Sequence, residues 1–276
     1  MKIMTDTPSL YSPSQGEKHD LAVIPACTII DGKVYRDYAD ISTADFLKKM
    51  EAGLVPTSSQ PSIGEIVEIY EQSDDEILVI PIGDGLSGTY QNMVGAKNLV
   101  ENSGRIHVLD TKTLAGAQRY LVDKAIELRD LGMNIERIKT VLQKSIESSS
   151  SFVIPRDFQF LKRSGRLTPF AARLGSAMRL VPVMTQTEDK KKITKFCIKN
   201  SPKSALNAIL EHLKKQGVNE EHLITVSHGG DEAEAKTALE LIQSRFEKTR
   251  TALYELPPAL VCHGGPGCIL IQAVKL

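Results

Sequence analysis

Tryptophan is absent from the 276 residues, and phenylalanine and tyrosine together bring the aromatic content to only 5%. Single-stranded nucleic acid needs aromatic platforms on which bases stack, so this scarcity argues against such a binder. A charge of one sign is missing too. Lys+Arg and Asp+Glu both number 34, which sums to zero, and no global field recruits nucleic acid or an anionic membrane. Apolar runs fall short of the about 18 residues that a membrane span needs, so no stable membrane insertion is expected. The first twenty residues hold an early lysine but no apolar run of signal-peptide length, which predicts a cytoplasmic protein. The four cysteines, Cys27, Cys197, Cys262 and Cys268, are scattered without CxxC spacing. That pattern predicts free thiols in a reducing compartment rather than disulfides or a zinc set.

What is present reads as a soluble globular chain: 41% hydrophobic and 25% charged residues, long enough for one large domain or two ordinary ones. Strand-like and helix-like segments alternate. A short strand is expected at 2–5. Ser42 and Ser62 each open a helix with an acidic residue three places on, and Ser62 with Glu65 has the capping-box pattern. The run EILVIPI at 76–82 lacks polar alternation, which suggests a strand buried on both faces of a parallel sheet. A further strand is expected at 105–109. Leu114, Ala117, Leu121, Ala125 and Leu128, then Ile135, Ile138, Leu142 and Ile146, form stripes at helical spacing and are core faces. This alternation predicts α/β with crossover helices. Past 150 the texture changes. A short segment at 151–154 comes first, then a hairpin from 180–185 and 193–198 around a polar turn. Helices at 204–215 and 232–246 follow, with strands at 223–227, 252–256 and 269–274. The chain therefore divides into an N-terminal α/β domain, 1–150, with the parallel sheet and a glycine-rich loop, and a C-terminal α/β domain, 151–276.

Four loops carry candidate chemistry. GDGLSGTYQ (83–91) joins a buried strand to a helix. A helix N-terminus offers N–H groups and the positive end of its dipole, and Ser87 and Thr89 add hydroxyls, so the loop suits a carboxylate or a phosphate. The competing reading is that both residues merely cap the helix. Gly83, Gly85 and Gly88 also spell GxGxxG, with Asp110 placed for a ribose, as in an NAD-dependent oxidoreductase. PTSSQPS (56–62) leaves Thr57, Ser58 and Ser59 to face a ligand once Ser62 is used as a cap. LKRSGRLT (161–168) gathers Lys162, Arg163 and Arg166, where a planar guanidinium can grip an anion with two parallel hydrogen bonds. HGGPG (263–267) sets His263 before Gly264, where an imidazole can donate to an anionic head group. His228 is a similar case, and a zinc set of His228, His263 and a cysteine has no supporting ligand spacing. A hydrolase using Ser87 and His263 is a further reading, although Thr89 breaks GxSxG.

SSQPS (58–62), GLSGTYQ (85–91), LKRSGR (161–166) and HGGPG (263–267), in this order, resemble the DegV family. Echoes at 3–7, 24–37 and 108–118 extend the resemblance over nearly the whole chain. It implies two α/β domains with a long-chain fatty acid bound between them. It implies no enzyme activity in this chain, no cofactor and no metal. In the fatty-acid-binding subunits of bacterial fatty acid kinase, the acid is presented to a separate ATP-dependent kinase. The resulting acyl phosphate feeds phospholipid synthesis. By resemblance, Ser58, Ser87 and the N–H at Gly88 hold the carboxylate, with Arg166 and His263 completing the polar network. Thr57, Ser59, Thr89 and Gly264 are secondary candidates. Ser58 stands where threonine is usual, Ala115 where serine is common, Val181 where lysine is frequent and Cys262 where threonine is common. Related folds also serve as substrate subunits of dihydroxyacetone-type kinases, which is a further alternative. A monomer is expected.

Overall fold

The computed structural model describes residues 1–173 and 180–276. They divide into two compact units, Met1–Glu147 with Pro257–Ala259, and Ser148–Leu256 with Leu260–Leu276.

The first unit runs β1 (Lys2–Asp6), α1 (Pro13–Glu17), β2 (Leu21–Ile24), β3 (Cys27–Ile30), β4 (Lys33–Arg36), α2 (Thr43–Glu51), β5 (Thr57–Ser59), α3 (Ile63–Glu71), β6 (Ile77–Ile80), α4 (Thr89–Lys97), β7 (Ile106–Val108), α5 (Ala115–Asp130) and α6 (Ile135–Ser148). Its main sheet has the order β2-β1-β6-β7, and every pair in it is parallel. The reason lies in β6. Leu78 and Ile80 pack with Leu121, Val122, Ile138 and Leu142 of α5 and α6. Ile77 and Val79 pack with Ile66, Tyr70 and Met93 of α3 and α4. Strand side chains alternate between faces, so a sheet with helices on both sides needs an unbroken apolar run. Each such side chain contributes about 1.5–3 kcal/mol by leaving water. The caps form as expected. Ser42 accepts from the Asp45 N–H, and Ser62 and Glu65 close a capping box on α3.

A second, antiparallel sheet of order β4-β3-β5 belongs to the same unit. It is not among the elements expected from the sequence. Its strands span only three or four residues, and β5 consists of hydroxyl residues that pattern as a loop.

The second unit runs β8 (Ser150–Ile154), α7 (Phe158–Arg163), α8 (Pro169–Ala172), β9 (Val181–Gln186), β10 (Ile193–Lys199), α9 (Pro202–Lys215), β11 (His222–His228), α10 (Glu232–Arg245), β12 (Arg250–Glu255), α11 (Pro258–Gly264, whose first residues group with the first unit) and β13 (Ile269–Lys275). Its sheet is mixed, with order β10-β9-β8-β13-β11-β12. Among its described strands only β11 and β12, joined through α10, are parallel neighbours. One face carries Phe152, Val183, Ile224, Val226 and Ile271 against the inward stripes of α9 and α10. No helix among the described residues is long and apolar enough to cross a membrane.

Candidate functional site

In an open parallel sheet, ligands bind beyond the carboxyl ends of strands where the winding reverses. Here β1 leads to β2 on one side, while β6 leads to β7 on the other. The reversal lies between β1 and β6, and the loop 81–88 leaves β6 at that end. Its geometry is set by the chain itself. Gly83 donates to the Thr113 carbonyl at 2.8 Å, and a Cβ there would stand 2.7 Å from the Lys112 Cα and the Thr113 nitrogen. Gly85 has φ +82°, a left-handed turn that glycine adopts without cost. Asp110 accepts from the Asp84 and Lys112 N–H groups, each at 3.0 Å. The loops after β6 and β7 are thus sewn together, and the glycines and acidic residue of the GxGxxG reading have structural employment here. This weighs against the dinucleotide alternative.

Gly88 is the N-cap of α4, so neither Ser87 nor Thr89 occupies the capping position. The Ser87 and Thr89 hydroxyls lie 2.9 Å apart, and the Thr89 N–H donates to the Ser87 Oγ at 3.2 Å. When the buried Thr89 hydroxyl donates as well, the Ser87 hydrogen is left to a ligand oxygen. The PTSSQPS segment comes alongside. The Gln60 amide would meet a Cβ on Gly88 at 3.1 Å, and Asn92 of α4 donates to the Pro61 carbonyl at 3.1 Å. Ser58 is the middle residue of β5, opposite Thr28. Strand alternation sends it to one face and Thr57 and Ser59 to the other. The first two motifs therefore meet in the first unit.

The other two meet in the second. Arg166 follows α7 in a half-buried position. Its backbone accepts from the Ile193 N–H at 2.9 Å, and its guanidinium donates to the Ser164 carbonyl. Burial lowers the guanidinium pKa, with Cys262 opposing. His263 sits in the last turn of α11 rather than in a loop. Burial, and secondly the Arg166 charge, push its imidazole down to about 3. A neutral imidazole beside a guanidinium can donate one hydrogen bond to an anion. It is too weak a base to activate a hydroxyl near neutral pH, which weighs against the hydrolase reading. Gly264 has a packing role, since a Cβ there would lie 2.6 Å from the Cys268 Sγ. Lys162 and Arg163 are exposed on α7, with Arg163 over the Phe160 ring at 4.6 Å. Among the described residues no His, Cys, Asp or Glu side chains gather as a metal set. Val181 begins β9 opposite Lys199. Ala115 begins α5 at φ +51°.

Sequence reasoning missed Asp6, Asp37 and Gln118, all fully buried. For Asp6 the available signal was an acidic residue closing the first strand, at the end that borders the crevice of a parallel sheet.

The family model described as "Uncharacterised protein, DegV family" matches residues 1–276. The chain belongs to the DegV family. A DegV domain-containing protein of Listeria innocua is 30% identical over 276 residues, covering 97% of this chain and 95% of its own. A fatty-acid-binding DegV family protein of Thermus thermophilus has a similar structure. Its TM-score is 0.89 at 26% identity, covering 100% of this chain and 99% of its own. DegV of Bacillus subtilis, described as a fatty acid binding protein, gives 0.87 at 25% identity with the same coverage. The mixed α/β architecture of this DegV protein is thus the one found in relatives that bind fatty acids.

Proposed function

We propose that this DegV protein binds a long-chain fatty acid by its carboxylate and presents it to a separate ATP-dependent fatty acid kinase. The observation that carries the reading is the array of Ser87, Gly88 and Thr89 at the head of α4. It offers hydroxyl and amide donors at the reversal point of the sheet. The fatty-acid-binding relatives support the ligand class. Ser58 joins the array from β5. Arg166 and His263 are proposed for the same head group on the resemblance of their motifs to the family's. An alkyl tail supplies most of the affinity, at about 0.8 kcal/mol for each CH₂ buried and roughly 10 kcal/mol gross for a long chain. The head group then needs only partners for its charge, which hydroxyls, amides and one guanidinium provide. The protein itself serves as a monomeric cytoplasmic carrier, and the kinase makes the acyl phosphate for phospholipid synthesis.

Native mass spectrometry of gently purified protein tests the ligand. A fatty-acid mass is expected on the chain or after adding the acid, and its absence in both cases sinks the reading. Ser87→Ala is expected to weaken binding of the acid while leaving binding of its methyl ester nearly unchanged. Equal loss for both ligands would make Ser87 a structural residue. For the presentation step, the loaded protein is mixed with a fatty acid kinase and ATP, and acyl phosphate is trapped with hydroxylamine. No trapped product would remove the kinase from the proposal and leave the ligand in place.

A further inference from the structure

Two carboxyl groups lie fully buried in the first unit, Asp6 at the end of β1 and Asp37 just after β4. Asp6 accepts from the Ile82 N–H through both oxygens, at 3.1 and 3.3 Å, and from the Gln118 amide of α5 at 2.7 Å. Ile82 immediately precedes Gly83, so Asp6 holds the entry to the glycine loop. Asp37 accepts from the Ala259 N–H through both oxygens, at 3.2 and 3.3 Å. It also accepts from the hydroxyl of Thr7, the residue after Asp6, at 3.3 Å. Ala259 lies in the first turn of α11, whose last turn carries His263.

The surrounding charges are committed elsewhere. Arg119 of α5 turns to Asp123 at 3.0 Å and to the Leu10 carbonyl at 3.1 Å. Arg36 of β4 closes on Asp40 at 3.1 Å. Cys27 of β3 has its thiol pushed up by burial, with Glu65 of α3 and Asp37 adding to that. The β6 and α11 ends contribute backbone N–H groups. Burial pushes Asp6 up to about 7, against the hydrogen bonds from Gln118 and Ile82. Burial likewise pushes Asp37 up to about 7, and the Asp6 charge adds to it. A separate observation agrees. The Gln118 Oε1 is buried and lacks a hydrogen-bond partner among the described residues. The nitrogen of the same amide donates to Asp6, and a protonated Asp6 would bring a donor to this neighbourhood.

We propose that Asp6 and Asp37 are positioning residues forming a protonation-controlled latch. With at least one protonated they fix the entry to the glycine loop and the start of α11, and with both ionised they loosen them. Two like charges buried away from water repel each other, so double ionisation is the costly state. Their folded values lie above the ordinary 3.8. Their stabilising contribution is therefore full below about pH 4 and is lost as the pH rises towards about 7. The link to ligand retention rests on the fatty-acid reading, whereas the latch does not.

Hydrogen exchange read by mass spectrometry tests the latch on the ligand-free protein between about pH 5.5 and 8.5. Protection factors, corrected for the intrinsic rate, are expected to fall about tenfold or more around Ile82 and Ala259 as the pH rises. Those of the β9–β10 hairpin should stay level. A flat profile at Ile82 and Ala259, or an equal fall everywhere, overturns the latch. Asp37→Asn keeps an acceptor and cannot ionise, so its profile should be flat. A fall matching the wild type would also overturn the proposal. Should that variant fail to fold, Asp6→Asn and the wild-type curve decide. In a second arm, release of a fluorescent fatty acid should quicken with pH in the wild type and not in Asp37→Asn. A protein that takes up no fatty acid defeats the proposed function, while the exchange profiles still judge the latch.

Discussion

His263 and Arg166 show how a single residue takes its chemistry from its surroundings. The ring keeps part of its surface accessible yet lies deep among protein atoms beside a guanidinium, and it stays neutral down to about pH 3. Its folded value is below the ordinary 6.5. The stability it allows is full above about pH 6.5 and is lost as the pH falls towards 3. Relative to His263→Gln, the wild type should lose stability across that window, by up to about 1.4 kcal/mol for each pH unit crossed. Thermal unfolding at stepped pH measures it, and parallel curves for the two proteins would count against the burial argument. A carboxylate bound beside the ring favours the imidazolium. The His263 ring resonances should therefore titrate at higher pH with fatty acid bound than without. An unchanged titration would take His263 out of the head-group set.

Elements owe their positions to smaller devices. The Ser62 and Glu65 capping box starts α3 immediately after the segment that lies against Gly88. Ser62→Ala should cost about 1 kcal/mol, read from the urea midpoint at unchanged slope. Gly83 is a stricter requirement. Its missing Cβ makes room for backbone atoms of the next loop at 2.7 Å, which cannot swing aside as a side chain would. Gly83→Ala should cost about 1–3 kcal/mol by overpacking and should also weaken fatty-acid binding by displacing the loop. A variant as stable as wild type would show that the two loops can part. The caps and the helical stripes were legible in the sequence because they are local patterns. The strand β5 was not, since its pairing to β3 depends on a partner about thirty residues away.

The whole molecule carries no net charge, with an isoelectric point near 7.0. Its solubility should pass through a minimum close to pH 7 and rise on either side, measured by precipitation at low ionic strength. Ligand linkage also belongs to this scale. A ligand that binds only the folded chain raises stability by about 2.7 kcal/mol at a hundredfold excess over its dissociation constant. Fatty acids should therefore raise the thermal midpoint, and NAD should leave it unchanged. The reverse outcome would revive the dinucleotide reading of Gly83, Gly85 and Gly88.

The sequence by itself determined the α/β class, the doubly buried β6, the caps at Ser42 and Ser62 and the order of four motifs that marks a DegV chain. Each is written in neighbouring residues, through periodicity, capping chemistry or a short distinctive run. Tertiary structure alone decided what those motifs do for one another. It set Gln60 against Gly88 and Arg166 beside His263, and it gave the glycines of both loops packing duties. It also buried Asp6 and Asp37 in the first unit. Such facts depend on which atoms crowd a site and how much water is excluded, and those are set by segments far apart in the chain.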